Sequence, residues 1–346
     1  MPGILLVGNF LSQHGFTPSV NEELSARLRG CGWEVLTTST RLNRASRLAT
    51  MVAAIVVRRS RYQVAQVDVF SGRAFLWAEV CAWALRRARR PYVLTLHGGA
   101  LPEMAQAHAQ RVRRLLSSAS AVTAPSGYLH QRMRPYRDSI QLLLNPIDIN
   151  GYTFRLRSRP SPDILWLRGV HRIYNPVLAP RMLARVLPAH PGARLWMVGP
   201  DKGDGSMQET QADAARLGVS DRVEFVGGVP KADVPQWLDR ADLFLNTTNV
   251  DNTPVSVLEA LASGLCVVST NVGGLPYLLE DGVDALLTPP DDAGAMAHAV
   301  DRVLTEPGLA EALSRAARAK ARLHDWSVVL PQWDALLRRA AEAGDR

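Results

Sequence analysis

The chain has 346 residues, about twice the usual length of one domain, so two domains are expected. Hydrophobic residues make up 47% and charged residues 21%, which excludes a disordered or low-complexity protein. The net charge is +8, but residues 1–160 hold 22 basic and 8 acidic side chains, whereas residues 161–346 hold 18 and 24. Lys202, Lys231 and Lys320 are the only lysines; all other basic residues are arginine. Cys31, Cys81 and Cys266 lie far apart in no metal or disulfide spacing, which suits a reducing cytoplasm. The longest apolar stretches, 48–57 and 74–85, fall short of the roughly 20 residues of a membrane-spanning helix. The chain opens directly into an apolar run at Ile4, so no signal peptide is expected ahead of it.

In chain order, apolar runs at 4–7, 34–38, 64–69, 92–96, 121–124 and 141–144 read as buried strands. Amphipathic stretches at 20–28, 45–58, 73–88, 105–116 and 128–133 read as the helices between them. Strict alternation implies a parallel sheet covered on both faces. Residues 155–162, with three arginines and two prolines, break the pattern and read as a linker. Alternation then restarts, with strands at 164–167, 194–198, 223–226, 243–246, 266–269 and 285–287. Helices are expected at 177–187, 208–217, 234–240, 255–262 and 293–304, with a helical tail beyond 309. The expectation is α/β: two doubly wound, Rossmann-like domains, 1–155 and 163–325, followed by a tail at 326–346. Their strand C-termini would face one cleft, where ligands of such sheets bind.

The densest chemistry lies between Leu245 and Pro289. A strand ends at Asn246, a polar loop follows, and a helix begins near Pro254, a residue suited to a first helical turn. Thr253 is a good N-cap. The amides of Val255 and Ser256 would then stand at the positive end of the helix, ready for an anion. Glu259 is one turn too deep to cap and is expected to point into the cleft. Gly273-Gly274 would let another backbone approach closely. The loop after the first strand, Gly8-Asn9-Phe10, does not fit G-x-G-x-x-G, so a dinucleotide fingerprint is absent.

This ordered string resembles the nucleotide-sugar site of the family-4 glycosyltransferases of the GT-B fold. Asp251 and Glu259 hold the family's two acidic places, eight apart; Ser263-Gly264 and Gly273-Gly274 hold its turn and loop. The similarity covers nearly the whole chain and is densest from 164 to 289. It implies that Glu259 holds the donor's ribose hydroxyls and that the amides after Pro254 receive the diphosphate. Asp251 would contact the transferred sugar where the family usually has glutamate, with Asn252 sharing the work. Arg168 would stabilise the leaving diphosphate, although the same arginine also suits a structural ion pair. The family's lysine five residues later is Ile173 here, leaving His171, Arg172 or Lys202 as the second cation. His97, before Gly98-Gly99, would touch the donor sugar. Gly228 and Val229 would line the nucleobase through their backbone, with Lys231 on the surface. Asn9, His14 and Gly15 resemble the acceptor-side loop without its usual paired glycines.

The reaction implied is retaining, metal-independent transfer from a nucleotide-diphosphate sugar, UDP-sugar first and GDP-sugar second. The acceptor would be a saccharide or a polyprenyl-linked molecule, in cell-surface glycan synthesis. No cofactor and no metal are expected, and no Asp-x-Asp clamp ends a strand. The donor would bind the second domain and the acceptor the first, with the final helix packing back on the first. Arginine clusters at 41–47, 58–61, 86–90 and 111–114 beside apolar helix faces suit an anionic membrane surface, hence a peripheral place on the inner face of the cell membrane. No nucleic-acid-binding motif accompanies them. The rival expectations are a nucleotide-sugar epimerase of related fold and a noncatalytic sugar-nucleotide-binding scaffold.

Overall fold

Every strand-to-strand pairing within the two sheets of this computed structural model is parallel, and each sheet has six strands. The structure describes residues 1–14 and 19–344. It divides into two units, Met1–Pro146 with Ser327–Arg346, and Ile147–Trp326.

In the first unit the strands are β1 (Gly3–Val7), β2 (Glu34–Thr38), β3 (Val64–Val69), β4 (Tyr92–Leu96), β5 (Ala121–Ala124) and β6 (Gln141–Leu142). The helices are α1 (Val20–Gly30), α2 (Arg44–Val57), α3 (Phe75–Arg87), α4 (Leu101–Ala107), α5 (Ala109–Ser117) and α6 (Gly127–Met133). The helix expected over 105–116 is two helices, because His108 adopts φ −134°, ψ 46° and breaks the ladder. The strand order is β2-β1-β3-β4-β5-β6. The chain therefore moves one way from β1 to β2 and then returns to the other side of β1, so its switch point lies between β1 and β3. Ligands of open parallel sheets bind beyond the strand C-termini at such a point. The near-continuous apolar strands are buried on both faces, as the sequence pattern demands.

The second unit is also a six-stranded parallel sheet but in a different order, with β7 (Asp163–Leu167), β8 (Arg194–Val198), β9 (Val223–Gly227), β10 (Leu243–Asn246), β11 (Cys266–Thr270) and β12 (Leu286–Thr288). Its helices are α7 (Leu178–Val186), α8 (Ser206–Arg216), α9 (Val234–Arg240), α10 (Val255–Ser263), α11 (Leu275–Leu278), α12 (Ala293–Thr305) and α13 (Leu309–Arg322). The order is β12-β11-β10-β7-β8-β9, which puts the switch point between β7 and β10. The last helix, α14 (Trp326–Gly344), belongs to the first unit from Ser327 onward. There Trp33 Nε1 donates to Asp334 Oδ1 at 2.7 Å, and Arg338 lies over the Trp33 ring.

The boundary corrects the linker expected at 155–162. The chain enters the second unit at Ile147, whose N–H donates to His324 O at 2.8 Å and whose carbonyl accepts from Trp326 N–H at 3.1 Å. Arg157 is only 1% exposed. Its guanidinium donates to the carbonyls of Ser263, Arg155 and Ala241 and faces Asp242. Burial, then the nearby Arg155, lowers its pKa to about 10, against the pull of Asp242. An arginine that joins three chain segments is an internal brace, although the composition around it reads as loop.

Candidate functional site

The second unit's site is built on the two strands that flank its switch point. Arg168 follows β7, and the loop Thr247–Pro254 follows β10. Buried side chains hold that loop in place: Trp166 Nε1 donates to Thr247 Oγ1 at 2.8 Å, Thr247 Oγ1 to Tyr174 O at 2.7 Å, and Thr270 Oγ1 to Thr248 O at 2.6 Å. The Gly-Gly expectation acquires its partner here. A Cβ at Gly273 would stand 2.2 Å from Asp251 O, and one at Gly274 1.8 Å from Asn252 O. Gly274 N–H donates to Asp251 O at 2.9 Å. The backbone that approaches is the acidic loop itself, and no side chain fits between them.

Arg168 and Asp251, inferred separately from the sequence, form an ion pair at 2.6 Å, with side chains 16% and 13% exposed. Asp251 Oδ1 also accepts Asn252 N–H at 2.8 Å. Burial raises the Asp251 carboxyl above its ordinary pKa, although Arg168 and the Asn252 amide pull the other way. The Arg168 guanidinium stacks on the Tyr174 ring at 3.8 Å, and its Nε and Nη1 are buried with no hydrogen-bond partner among the described residues. Guanidinium donors left over in a dry site are unusual and call for an acceptor.

The helix start differs from expectation. Pro254, not Thr253, is the N-cap of α10, and no side chain caps the helix. The Thr253 hydroxyl is buried and unpartnered among the described residues. Because proline's backbone conformation is extended here, the first amides free of intrahelical bonds are those of Val255 and Ser256, at the dipole's positive end. Asn252, Thr253 and Pro254 are buried, Ser256 is half-buried, and Val255 is exposed.

Glu259 is 2% exposed on the inner face of α10. Its Oε1 accepts from Tyr152 Oη at 2.8 Å and pairs with Lys231 Nζ. Lys231, expected on the surface, is thus a partner of the acidic residue; it stands in the loop after β9, beside Gly228 and Val229. Val229 is half-buried against the core, and Gly228 packs on Pro200. Lys231 is one of only three lysines and sits at a strand end, a signal that the sequence carried. Tyr152 had none, since its segment reads as leading into a linker.

The three cation candidates separate. His171 lies 3.6 Å from Asp204, and Arg172 lies 3.6 Å from Glu209. Lys202 forms no ion pair among the described residues, and its stem crosses Gly169, where a Cβ would meet Lys202 Cε at 2.5 Å. The loops are tied together: Val170 N–H donates to Pro200 O, and Lys202 N–H to Val170 O. Lys202 is therefore fastened beside the residue that follows Arg168. Ile173 is 39% exposed at the place where the lysine was expected.

In the first unit, His97 follows β4. Its Nε2 is 2.9 Å from Asp68 Oδ1, and its ring stacks on Phe70 at 5.0 Å. Asp68 is the penultimate residue of β3 and also accepts from Asn21 Nδ2 at 2.8 Å and Gln66 Nε2 at 2.9 Å. An acidic residue near the end of a buried strand, Val-Ala-Gln-Val-Asp-Val, was the sequence signal that was missed. Asn9 Oδ1 accepts from Arg47 Nη1 at 2.9 Å. His14 is exposed and donates through Nε2 to Thr40 O at 2.9 Å. Gly15 lies outside the described residues. Among the described residues no group of three His, Cys, Asp or Glu is placed to hold a metal ion.

Comparison with known proteins matches each half. Residues 14–150 match the family described as Glycosyltransferase Family 4, and residues 163–306 match Glycosyl transferases group 1. A D-inositol 3-phosphate glycosyltransferase of Kribbella flavida is 32% identical over 191 residues, covering 52% of this chain and 45% of that protein. The chain thus spans less than half the length of the first curated relatives it matches. Among solved structures, the sucrose-phosphate synthase of Thermosynechococcus elongatus has a TM-score of 0.81 at 18% identity, covering 99% of this chain and 100% of that one. Anabaena HepE, in complex with UDP-glucose, has a TM-score of 0.77 at 21% identity, covering 97% and 99%. These likenesses show the GT-B fold. With both halves matched by the two domains of one family, the chain belongs to the family-4, group 1 glycosyltransferases.

Proposed function

We propose that this protein is a retaining, metal-independent glycosyltransferase whose second unit binds a nucleotide-diphosphate sugar, UDP-sugar before GDP-sugar. The observation that carries the reading is the unpartnered Arg168 Nε and Nη1 at the switch point where the free amides of Val255 and Ser256 open α10. Both suit the two phosphates of a leaving nucleoside diphosphate. Lys202 supplies the second cation in place of Ile173. Glu259, held by Tyr152 and Lys231, offers its second oxygen to the ribose. In the first unit, His97 is oriented by Asp68 for hydrogen bonding to a sugar hydroxyl.

Transfer breaks the bond between the anomeric carbon and the phosphate oxygen. The acceptor oxygen forms its new bond on the same face, and the departing phosphate takes the acceptor's proton. No side chain serves as the base. Asp251 contacts the sugar, and its ion pair with Arg168 fixes both groups before the donor arrives. The acceptor is a saccharide or a polyprenyl-linked molecule presented at the inner face of the cell membrane, in cell-surface glycan synthesis.

The membrane reading draws on the first unit's surface. Arg41, Arg44 and Arg73 stand with the exposed Leu42 and Leu76 at the strand C-terminal end, where the site residues are. The clusters at 58–61 and 86–90 are at the opposite end of that sheet, before β3 and β4. Among the described residues no helix is long and apolar enough to cross a membrane. Calorimetric titration with UDP, GDP and ADP in EDTA tests the donor site. Selective binding that is lost in Glu259→Ala supports it; equal binding without Glu259, or none by the folded wild type, overturns it.

A further inference from the structure

The first unit contains a groove of about 1180 Å³ at the C-terminal end of its sheet, open beside Asn9, Phe70 and Trp77. Arg44, Arg47, Arg73 and Arg111 line it, and no acidic side chain does. Arg47 is the informative member. It is only 9% exposed, yet it forms no ion pair among the described residues. Its Nε donates to Arg41 O at 2.6 Å, Nη1 to Asn9 Oδ1 at 2.9 Å and Nη2 to Leu42 O at 3.0 Å. A guanidinium has five N–H donors, so two remain after these three bonds. All its present partners are neutral oxygens. A buried cation without a counter-charge is costly, and such charges are normally paired.

The surroundings add to the deficit. Burial, then the neighbouring Arg44, lowers the pKa of Arg47. Arg44 and Arg73 also form no ion pair among the described residues, whereas Arg111 is committed to Glu79 at 2.8 Å. Two large apolar side chains also line the groove: Trp77, whose ring lies under the Arg47 guanidinium at 5.6 Å, and Leu76, half in solvent. Phe70, on the rim, is the ring that stacks on His97. The groove is therefore one residue removed from the histidine assigned to the sugar.

We infer that this groove holds the acceptor, and that the acceptor carries a phosphate ester or diphosphate seated on Arg47, Arg44 and Arg73, with an apolar part along Leu76 and Trp77. That the anion is the acceptor rests on the transferase reading; the anion site itself does not. Arg47 is then the residue that makes the acceptor's charge a requirement. Its bond to Asn9 ties the site to the loop after β1, where sequence resemblance already pointed.

The test is calorimetric titration of the full chain with n-octyl phosphate below its micelle concentration, with glucose 1-phosphate, and with octyl glucoside as the uncharged control. Saturating UDP is present so that the second unit cannot take the probe. At least one phosphate binds and octyl glucoside does not. Arg47→Met weakens phosphate binding at least tenfold, and the exposed pair Arg44→Ala/Arg73→Ala weakens it about fivefold without touching the fold. Arg59→Ala, at the other end of the sheet, leaves it unchanged. Tighter octyl phosphate assigns a lipid-linked acceptor; tighter glucose 1-phosphate assigns a soluble sugar phosphate. Octyl glucoside binding as well as the phosphates do, or phosphate binding that survives both sets of substitutions, overturns the inference. Should Arg47→Met lose its native circular dichroism, the double variant decides. Failure of UDP to bind the wild type would instead overturn the donor assignment and leave the anion site standing.

Discussion

Arg168→Met removes one half of a buried ion pair, and the structure fixes what the other half must then do. Asp251 keeps a single hydrogen bond, from the Asn252 amide, in a site where its side chain is 13% exposed. It either stays ionised without a counter-charge or takes up a proton. Protonation sets the ceiling on the cost: from an ordinary pKa of 3.8, each unit to the working pH costs about 1.36 kcal/mol. That is about 4.4 kcal/mol at pH 7 and about 1.6 kcal/mol at pH 5. The sign follows from the direction of the shift. Burial already raises the folded-state pKa, so the native chain holds this proton to higher pH than the unfolded chain does. Stability therefore falls as pH rises above 3.8 toward the folded value. Losing Arg168 removes the attraction that restrained the shift and extends that window upward.

Urea denaturation should show Arg168→Met destabilised by about 3–4 kcal/mol at pH 7 and by about 1–2 kcal/mol at pH 5. The double variant Arg168→Met/Asp251→Asn should regain most of the loss at pH 7, since neither charge remains. UDP binding should stay more than tenfold weaker in both variants, because charge-assisted bonds from Arg168 are worth about 1.5–3 kcal/mol each. Equal destabilisation at both pH values, or recovery of UDP binding in the double variant, would refute the reasoning.

Three further outcomes are expected. Lys202→Ala should lower kcat about 10- to 100-fold in a sugar-transfer assay, while Arg172→Ala, already paired with Glu209, should stay within about twofold of wild type. Asp68→Asn leaves His97 without its carboxylate and should lower kcat about tenfold with UDP binding unchanged; a matching loss of UDP affinity would count against the role given to His97. A native thiol titration with a charged disulfide reagent should label Cys31 alone. Cys81 and Cys266 are buried, and burial pushes both thiols up to about 12.

Most of the scaffold was legible because a parallel sheet buried on both faces leaves uninterrupted apolar runs. Eleven of the strands were placed within one residue of their bounds for that reason. The exception, β6, is a two-residue edge strand with little burial to mark it. The helix expected over 105–116 failed at His108 because amphipathic periodicity continues across a break that the backbone alone makes. Thr253 failed as a cap for a related reason. Its residue type suits capping, but the extended backbone at Pro254 starts the helix one residue later, and the hydroxyl turns into the interior instead.

The sequence by itself determined the two alternating α/β halves, the acidic loop and Gly-Gly pair, and the arginine and histidine at strand ends. All of these depend on local pattern or on residue order. Tertiary structure decided the pairings. It joined Arg168 to Asp251, put Lys231 and Tyr152 on Glu259, set Asp68 behind His97, and left Arg47 buried without a counter-charge. Each pairing brings together residues from different elements or loops, 28 or more positions apart in every case. Nothing in a linear pattern encodes such distances; they are set by which strands flank the switch point of a parallel sheet.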